Sequence, residues 1–242
     1  MHTAILSDIH ANLEALDAVC RVGDERRIDS WVCLGDIVGY GADPGLCIAR
    51  TRALTDQVVL GNHDAAATNL LNLQYFNKYA RAAALWTAAR LSQDERDYLA
   101  NLPLSRERPE AFYVHAEPRN PGGWGYVNSH SDARAALEAV STQLCFIGHS
   151  HQPFIYVHNG FNLAPIKASG PVEIKAGQRY LVNIGSIGQP RDGDARSCFL
   201  IWDQGVGTLE LVRVEYDIPA AQKKIIDAGL PPFLAQRLEL GH

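Results

Sequence analysis

The stretch LGNHDA, Leu60 to Ala65, sets an amide, an imidazole and a carboxylate side by side directly after the apolar run Val58 to Leu60. These side chains can bind a metal, carry a proton and orient a neighbour. Other apolar runs end in similar chemistry. One ends in SDIH, with Asp8 and His10, the next in GD, with Asp36, a later one in VHAEPR, with His115, and another in GHSH, with His149 and His151. Taken singly, an Asp or His after a strand is ordinarily a turn or capping residue. Five such strand ends in order, each with a compatible ligand, are more than turn chemistry requires. The set offers oxygen and nitrogen and no thiolate, which suits a divalent ion, Mn first and Fe, Zn, Co or Ni as alternatives. Asp8, His10, Asp36, Asn62, His115, His149 and His151 exceed one centre unless a carboxylate bridges two ions. Two ions about 3.5–4 Å apart would bind both sides of a transferring phosphoryl group and generate a hydroxide between them.

The elements that must position these residues can be read from periodicity. In an extended chain residues two apart share a side, so Asp8 with His10, and His149 with His151, can reach one centre from the carboxyl ends of strands. TAIL, then a helix with Leu13, Leu16 and Val19 on one face and Asn12 as N-cap, then WVCL, read as strand, helix, strand. Val58 to Leu60 is a third strand, and Gln74 to Leu102 is mostly helical, with Ser92 and Glu95 as a capping box. AFYV (Ala111 to Val114) and LCFI (Leu144 to Ile147) are further strands, separated by the loop EPRNPGGWGY and a helix near Asp132 to Val140. The second half, with FIYVH, PVEI, RYLVNI, SCFLIWD and TLELVRVEY, reads as a β-meander. A final amphipathic segment, Ala220 to Ala228, is expected to pack back on a sheet.

Bulk properties bound the class. A chain of 242 residues, 47% hydrophobic and 20% charged, can bury a sizeable core as one large domain. The formal net charge of -5 gives no electrostatic reason to expect a nucleic acid partner, and DERRID and DERD mix signs as solvated helix faces do. No signal-peptide pattern and no apolar run of membrane-spanning length is present. The five cysteines, Cys20, Cys33, Cys47, Cys145 and Cys198, are scattered without a Cys-x-x-Cys pair, which fits core residues in a reducing cytoplasm.

Together DIH, GDIVGYG, GNHD, VHAEPR and GHSH resemble, in content, order and spacing, the signature blocks of the calcineurin-like metallophosphoesterases. Asn183 to Ile201, NIGSIGQPRDGDARSCFLI, resembles the GSVGQPRDG block of the bacterial and archaeal branch labelled diadenosine tetraphosphatase-related or serine/threonine phosphatase-like. The resemblance implies an α/β fold, a four-layer αββα sandwich of two mixed β-sheets flanked by helices. It implies one domain over 1–242, with cap-like insertions at about 65–110 and 117–140. Carried over by position, one divalent ion takes Asp8, His10, Asp36 and His151, and a second takes Asp36, Asn62, His115 and His149, with Asp36 bridging. His63 is then the imidazole that faces the substrate, oriented by Asp64, whose carboxylate would raise its pKa. Arg191 is the preferred phosphate clamp, with Asp192 or Asp194 as a competing partner, and Arg119 is a second candidate.

The implied activity is hydrolysis of a small phosphate ester or nucleotide, a phosphodiester or dinucleotide polyphosphate, by in-line attack of the bridging hydroxide. Alternatives are a phosphomonoesterase or protein phosphatase of the same fold, or an inactive metal-binding scaffold, although no expected ligand is replaced here. A nuclease is disfavoured by the acidic balance. HAEPR stands where relatives read HGSPR, which brings Glu117 near the site, and Tyr40, Trp124 and Tyr126 are candidates to stack on a substrate. His2, His130, His158 and His242 have no ligand-like context.

Overall fold

The computed structural model describes residues 1–167 and 170–242. Its strands are β1 (His2–Leu6), β2 (Ser30–Cys33), β3 (Ser105–Glu107), β4 (Ala111–Val114), β5 (Leu144–Ile147), β6 (Phe154–His158), β7 (Leu163–Pro165), β8 (Val172–Glu173), β9 (Arg179–Asn183), β10 (Ser197–Asp203) and β11 (Thr208–Val214). Its helices are α1 (Leu13–Glu25), α2 (Pro44–Leu54), α3 (Asn62–Ala67), α4 (Lys78–Ala88), α5 (Gln93–Ala100), α6 (His130–Glu138), α7 (Ile218–Asp227) and α8 (Pro232–Leu240).

Alternation along the strands gives each sheet two apolar faces. Ile5 of β1, Leu200 and Trp202 of β10 and Leu209 of β11 meet Tyr113, Phe146, Tyr180 and Val182 of the second sheet in one buried cluster. Their neighbours Leu6, Phe199 and Ile201 point the other way, onto Leu16 and Val19 of α1 and Ile48 of α2. Cys145, Ile147 and Leu181 cover the far face of the second sheet and pack against Ala133, Ala136 and Leu137 of α6. The result is four layers, helix, sheet, sheet, helix. Both sheets are mixed, in the orders β2-β1-β10-β11-β8 and β3-β4-β5-β9-β6-β7, with β1 parallel to β2 and β4, β5 and β9 parallel to one another.

Local signals act where expected. Asn12 Oδ1 accepts the Ala15 N–H at 3.1 Å to start α1, and Ser92 and Glu95 form the capping box of α5. Three expectations change. Val58 to Leu60 forms no strand; it makes one isolated parallel bridge from Val58 to Cys33, while the Leu60 N–H turns to the Pro103 carbonyl. The second half is not a meander, because β9 inserts between β5 and β6 while β10 and β11 join β1 in the other sheet. Strand pattern carries hydrophobicity but not pairing, so this exchange is invisible to it. Ala220 to Asp227 lie in α7, with Ala228 as its C-cap, and α7 packs on α1 and α8 rather than on a sheet. Helix α8, opened by Pro231 and Pro232 and closed by Gly241 in a left-handed conformation, was not foreseen.

All five cysteines are free and buried. Burial pushes each thiol up, Cys145 and Cys198 to about 12. Ellman's reagent at pH 8 is therefore expected to modify none of the five in the native protein and all of them after guanidinium unfolding. A thiol that reacts within seconds in the native state would contradict this burial.

Candidate metal centre

The side chains named from the strand ends come together at one rim of the sandwich, and all are buried. Asp8, Asp36, His115, His10 and His151 are at most 2% exposed, and Asn62, His63 and His149 at most 7%. His151 Nε2 lies 3.1 Å and His10 Nε2 3.7 Å from Asp8 Oδ1. His115 Nε2 lies 3.3 Å and His10 Nε2 3.6 Å from Asp36 Oδ2, and Asn62 Oδ1 is 3.2 Å from His115 Nε2. Asp36 thus stands between one group made with Asp8, His10 and His151 and another made with His115 and His149.

The hydrogen bonds show what the cluster lacks. Asp8 Oδ2 accepts the His149 N–H at 3.0 Å and Asp36 Oδ1 accepts the His63 N–H at 2.8 Å. Their other oxygens, Asp8 Oδ1 and Asp36 Oδ2, are buried and have no hydrogen-bond partner. Meanwhile Nδ1 of His10, His115 and His151 meets the carbonyls of Val38, Leu34 and Gln189, at 3.1, 2.8 and 2.5 Å. Donation there fixes the tautomer and leaves the Nε2 lone pairs facing the orphan oxygens, and His10 Nε2 and His151 Nε2 are only 3.0 Å apart. His149 is turned the other way: its Nε2 meets the Trp124 carbonyl at 3.0 Å, which leaves Nδ1 for a ligand. Lone pairs converge on lone pairs, so the residues fit bound cations.

Charge shifts agree with that reading. Burial would raise Asp8 and Asp36, but His151 and His10 beside the first, and His115 and His63 beside the second, outweigh it and hold both carboxyls well below their usual range. Burial opposes a charge on His115, yet Asp36 and Asp8 lift it to about 9. Burial pulls His149 down to about 4 and His151 to about 3, so both are neutral at pH 7.

The backbone bends to bring the groups inward. Asp8, His10, Asp36, His149 and His151 all have φ between 51° and 66°, the left-handed region that side chains rarely adopt. Strand alternation therefore does not aim Asp8 with His10 or His149 with His151; these residues lie beyond the strand ends in kinked turns held by bonds such as Asp8 N–H to Gly35 O at 3.0 Å and His10 N–H to Asp36 O at 2.9 Å. Two glycines permit the approach. A Cβ on Gly61 would meet Asp36 Oδ1 at 2.1 Å, and one on Gly148 would meet Ser7 Oγ at 2.0 Å and Asp8 Oδ2 at 2.5 Å.

His63 is buried between His10, Tyr40 and Phe76, at ring distances of 4.9, 4.4 and 5.0 Å, and its Nδ1 has no partner. Asp64 does not orient it by a hydrogen bond. Both Asp64 oxygens are engaged by backbone N–H groups, of Val38 at 3.1 Å and of Gly61 at 3.2 Å. Its carboxyl is pushed up to about 7, by burial first and then by Asp36. Nor is His63 raised: burial pulls it well below its ordinary value, and Asp36 is the carboxylate that opposes this. Asp64 is a brace, since the Val38 carbonyl it helps to place is the one that receives His10 Nδ1.

Arg191 has neither Asp192 nor Asp194 as partner, because those pair with Arg213 and Arg196. It binds Gln189 Oε1 and lies with Cζ 5.5 Å from the Tyr40 ring centre. Arg119 is paired to Glu117, whose Oε1 takes its Nε at 2.5 Å and its main-chain N–H at 2.9 Å. A cleft of about 440 Å³ opens over the centre, walled by Tyr40, Phe76, Trp124 and Tyr126, with Asn72 and Asn77 as polar groups. Tyr126 stacks on His149 at 4.1 Å. Phe76 and the carbonyls of Leu34, Val38 and Gln189 were missed by sequence reasoning. A carbonyl belongs to every residue and leaves no trace in residue type.

With this geometry in place, comparison defines the class: the chain belongs to the calcineurin-like phosphoesterase superfamily, whose domain profile matches residues 1–204. It is a metal-dependent phosphoesterase, a hydrolase. The crystal structure of a metallophosphoesterase from Sphaerobacter thermophilus superposes with a TM-score of 0.89 at 38% identity, over 100% of this chain and 99% of that one. An uncharacterised protein of Methanocaldococcus jannaschii is 40% identical over 98% of this chain and 97% of its own length. A hypothetical protein of Pyrococcus horikoshii shares the fold, with a TM-score of 0.80 at 20% identity over 100% of this chain and 98% of its own. Among the described residues no helix is long and apolar enough to cross a membrane.

Two outcomes follow. A divalent ion near 100 times its Kd stabilises by about 2.7 kcal/mol, so Mn should raise the melting temperature of chelator-stripped protein by roughly 5–10 °C. Absence of a shift with Mn, Fe, Zn, Co and Ni alike would rule out a bound-cation role for the cluster. Asp64→Ala leaves two buried N–H groups unpaired and should cost about 2–5 kcal/mol in a urea titration, with weaker metal binding. Wild-type stability and metal affinity in that variant would remove Asp64 as the brace.

Proposed function

We propose that the protein hydrolyses phosphodiesters or dinucleotide polyphosphates with two divalent ions, Mn the leading choice. One ion would be held by Asp8, His10, Asp36 and His151 and the other by Asp36, Asn62, His115 and His149. The observation that carries this reading is the pair of buried oxygens, Asp8 Oδ1 and Asp36 Oδ2, without hydrogen-bond partners and faced by Nε2 of His151 at 3.1 Å and of His115 at 3.3 Å. When bound, the ions supply Lewis acidity toward the phosphoryl oxygens and lower the pKa of water.

The chain's own residues do the rest. Asp8 and Asp36, held by the N–H groups of His149 and His63, keep their second oxygens aimed inward. His63, a non-ligand in this reading although it lies within ligand distance of His10 and Asp36, offers its imidazole to the leaving oxygen. Arg191, without a carboxylate partner among the described residues, supplies a fork for a phosphoryl oxygen pair; Arg119, paired to Glu117, is the weaker candidate. The segments at about 65–110 and 117–140 contribute Leu71, Asn72, Phe76, Asn77 and Ala80, and Gly122, Gly123, Trp124 and Tyr126, to the cleft, as cap elements would. Its aromatic walls favour a planar leaving group over a bare phosphate.

The test is turnover of bis-p-nitrophenyl phosphate beside p-nitrophenyl phosphate, by stripped protein with and without Mn. Mn should restore hydrolysis of the diester in preference to the monoester. His63→Ala should lower kcat about 10²–10⁴-fold while two metals still bind. Binding of two ions with no turnover of either ester would favour the scaffold reading, and preference for the monoester the phosphatase one.

A further inference from the structure

Four of the five imidazoles at the centre are tied to the main chain. Nδ1 of His10, His115 and His151 meets the carbonyls of Val38, Leu34 and Gln189, and His149 Nε2 meets that of Trp124. His63 is the exception, since its Nδ1 is buried without a hydrogen-bond partner among the described residues. The ring torsion of a histidine is intrinsically broad, so a ring without such a tie keeps one orientation only where its faces are packed.

Three rings supply that packing. Tyr40 lies 4.4 Å from the His63 ring centre at an angle of 50°, Phe76 5.0 Å at 49°, and His10 4.9 Å at 85°. The Gly39 main chain closes in on Nδ1, because a Cβ on Gly39 would come within 2.6 Å of it. His10 and Tyr40 belong to the rigid frame: His10 is held by the Val38 carbonyl, and Tyr40 is buried in one apolar cluster with Leu234 and Leu238 of α8. Phe76 has a different origin. It is half-buried and comes from the stretch between α3 and α4, fixed by its own N–H to the Leu73 carbonyl at 3.1 Å. Next to it, Asn77 Oδ1 caps α4 by accepting the Tyr79 and Ala80 N–H groups at 3.0 Å. The Phe76 ring therefore meets the imidazole and also lines the cleft.

We propose that Phe76 is a positioning residue: packed on His63 together with Tyr40, it holds the imidazole toward the leaving oxygen without touching the reacting atoms itself. This rests on the leaving-group role proposed for His63 above, and it brings the stretch between α3 and α4 into the reaction. A hydrogen bond to the leaving oxygen works only when aligned, so a ring free to turn loses most of it. The loss grows with the basicity of the leaving oxygen.

The experiment measures kcat and KM of Mn-loaded protein for bis-p-nitrophenyl phosphate and for diphenyl phosphate, whose leaving oxygen is the more basic. Phe76→Ala should lower kcat roughly 10–100-fold for diphenyl phosphate and less for the nitrophenyl ester, and Phe76→Tyr, which keeps the ring, should retain most of the rate. Added to His63→Ala, Phe76→Ala should cost no further kcat, because the two side chains act through one interaction. In Zn-loaded protein, which is diamagnetic, the nuclear Overhauser contact between the His63 and Tyr40 rings should be present in wild type and lost in Phe76→Ala. A kcat loss that persists undiminished in the His63→Ala background overturns the proposal, as does a change confined to KM or a retained His63–Tyr40 contact; each would leave Phe76 as a wall of the cleft only. Where Phe76→Ala does not fold, Phe76→Leu decides in the same way, since it keeps apolar bulk without the flat face. Wild-type kcat in His63→Ala, or no turnover of either ester by wild type, would sink the role given to His63 by itself, and the Overhauser contact then decides whether Phe76 holds the ring.

Discussion

Asp36 carries the arrangement on which the rest of the site depends. One of its oxygens takes the His63 N–H at 2.8 Å, and the other, buried and without a donor, lies 3.3 Å from His115 Nε2 and 3.6 Å from His10 Nε2. Such a concentration of lone pairs is unfavourable inside a protein unless a cation enters it. Asp8 repeats the design with the His149 N–H on one oxygen and His151 facing the other.

Holding these groups in place demands rigidity outside the ligands. Main-chain carbonyls of Leu34, Val38 and Gln189 orient three imidazoles, and Asp64 in turn braces Val38 and Gly61. The left-handed turns at Asp8, Asp36, His149 and His151 store strain that the packed layers beneath must overcome. Those layers are dense: Ile5, Phe146, Tyr180 and Leu200 between the sheets are essentially inaccessible. The site is thus an extension of the core toward solvent.

The flank of the centre has a different economy. Ion pairs occupy Asp192 and Asp194, and Glu117 occupies Arg119, whereas Arg191 rests on Gln189 Oε1 and Arg237 on the main-chain oxygen of His242. The C-terminal helices matter here because α7 and α8 carry Ala221, Ile225, Leu234 and Leu238 against Tyr40, Ala80 and Ala83. A segment remote in sequence from the motifs therefore shapes the wall over them.

Sequence alone determined the residue types of the centre, the strands at Ala111 to Val114 and Leu144 to Ile147, and the caps at Asn12 and Ser92, because ligand chemistry, alternation and capping are local signals. The order of the motifs also made the family legible before any contact was known. Tertiary structure alone decided that β9 and β10 part into different sheets, that Asp64 braces backbone rather than His63, and that Leu234 and Leu238 of α8 share a core cluster with Tyr40. Each of these depends on partners far away in the chain or on backbone groups that every residue possesses. Periodicity and residue type encode neither, so they emerge only when the layers close.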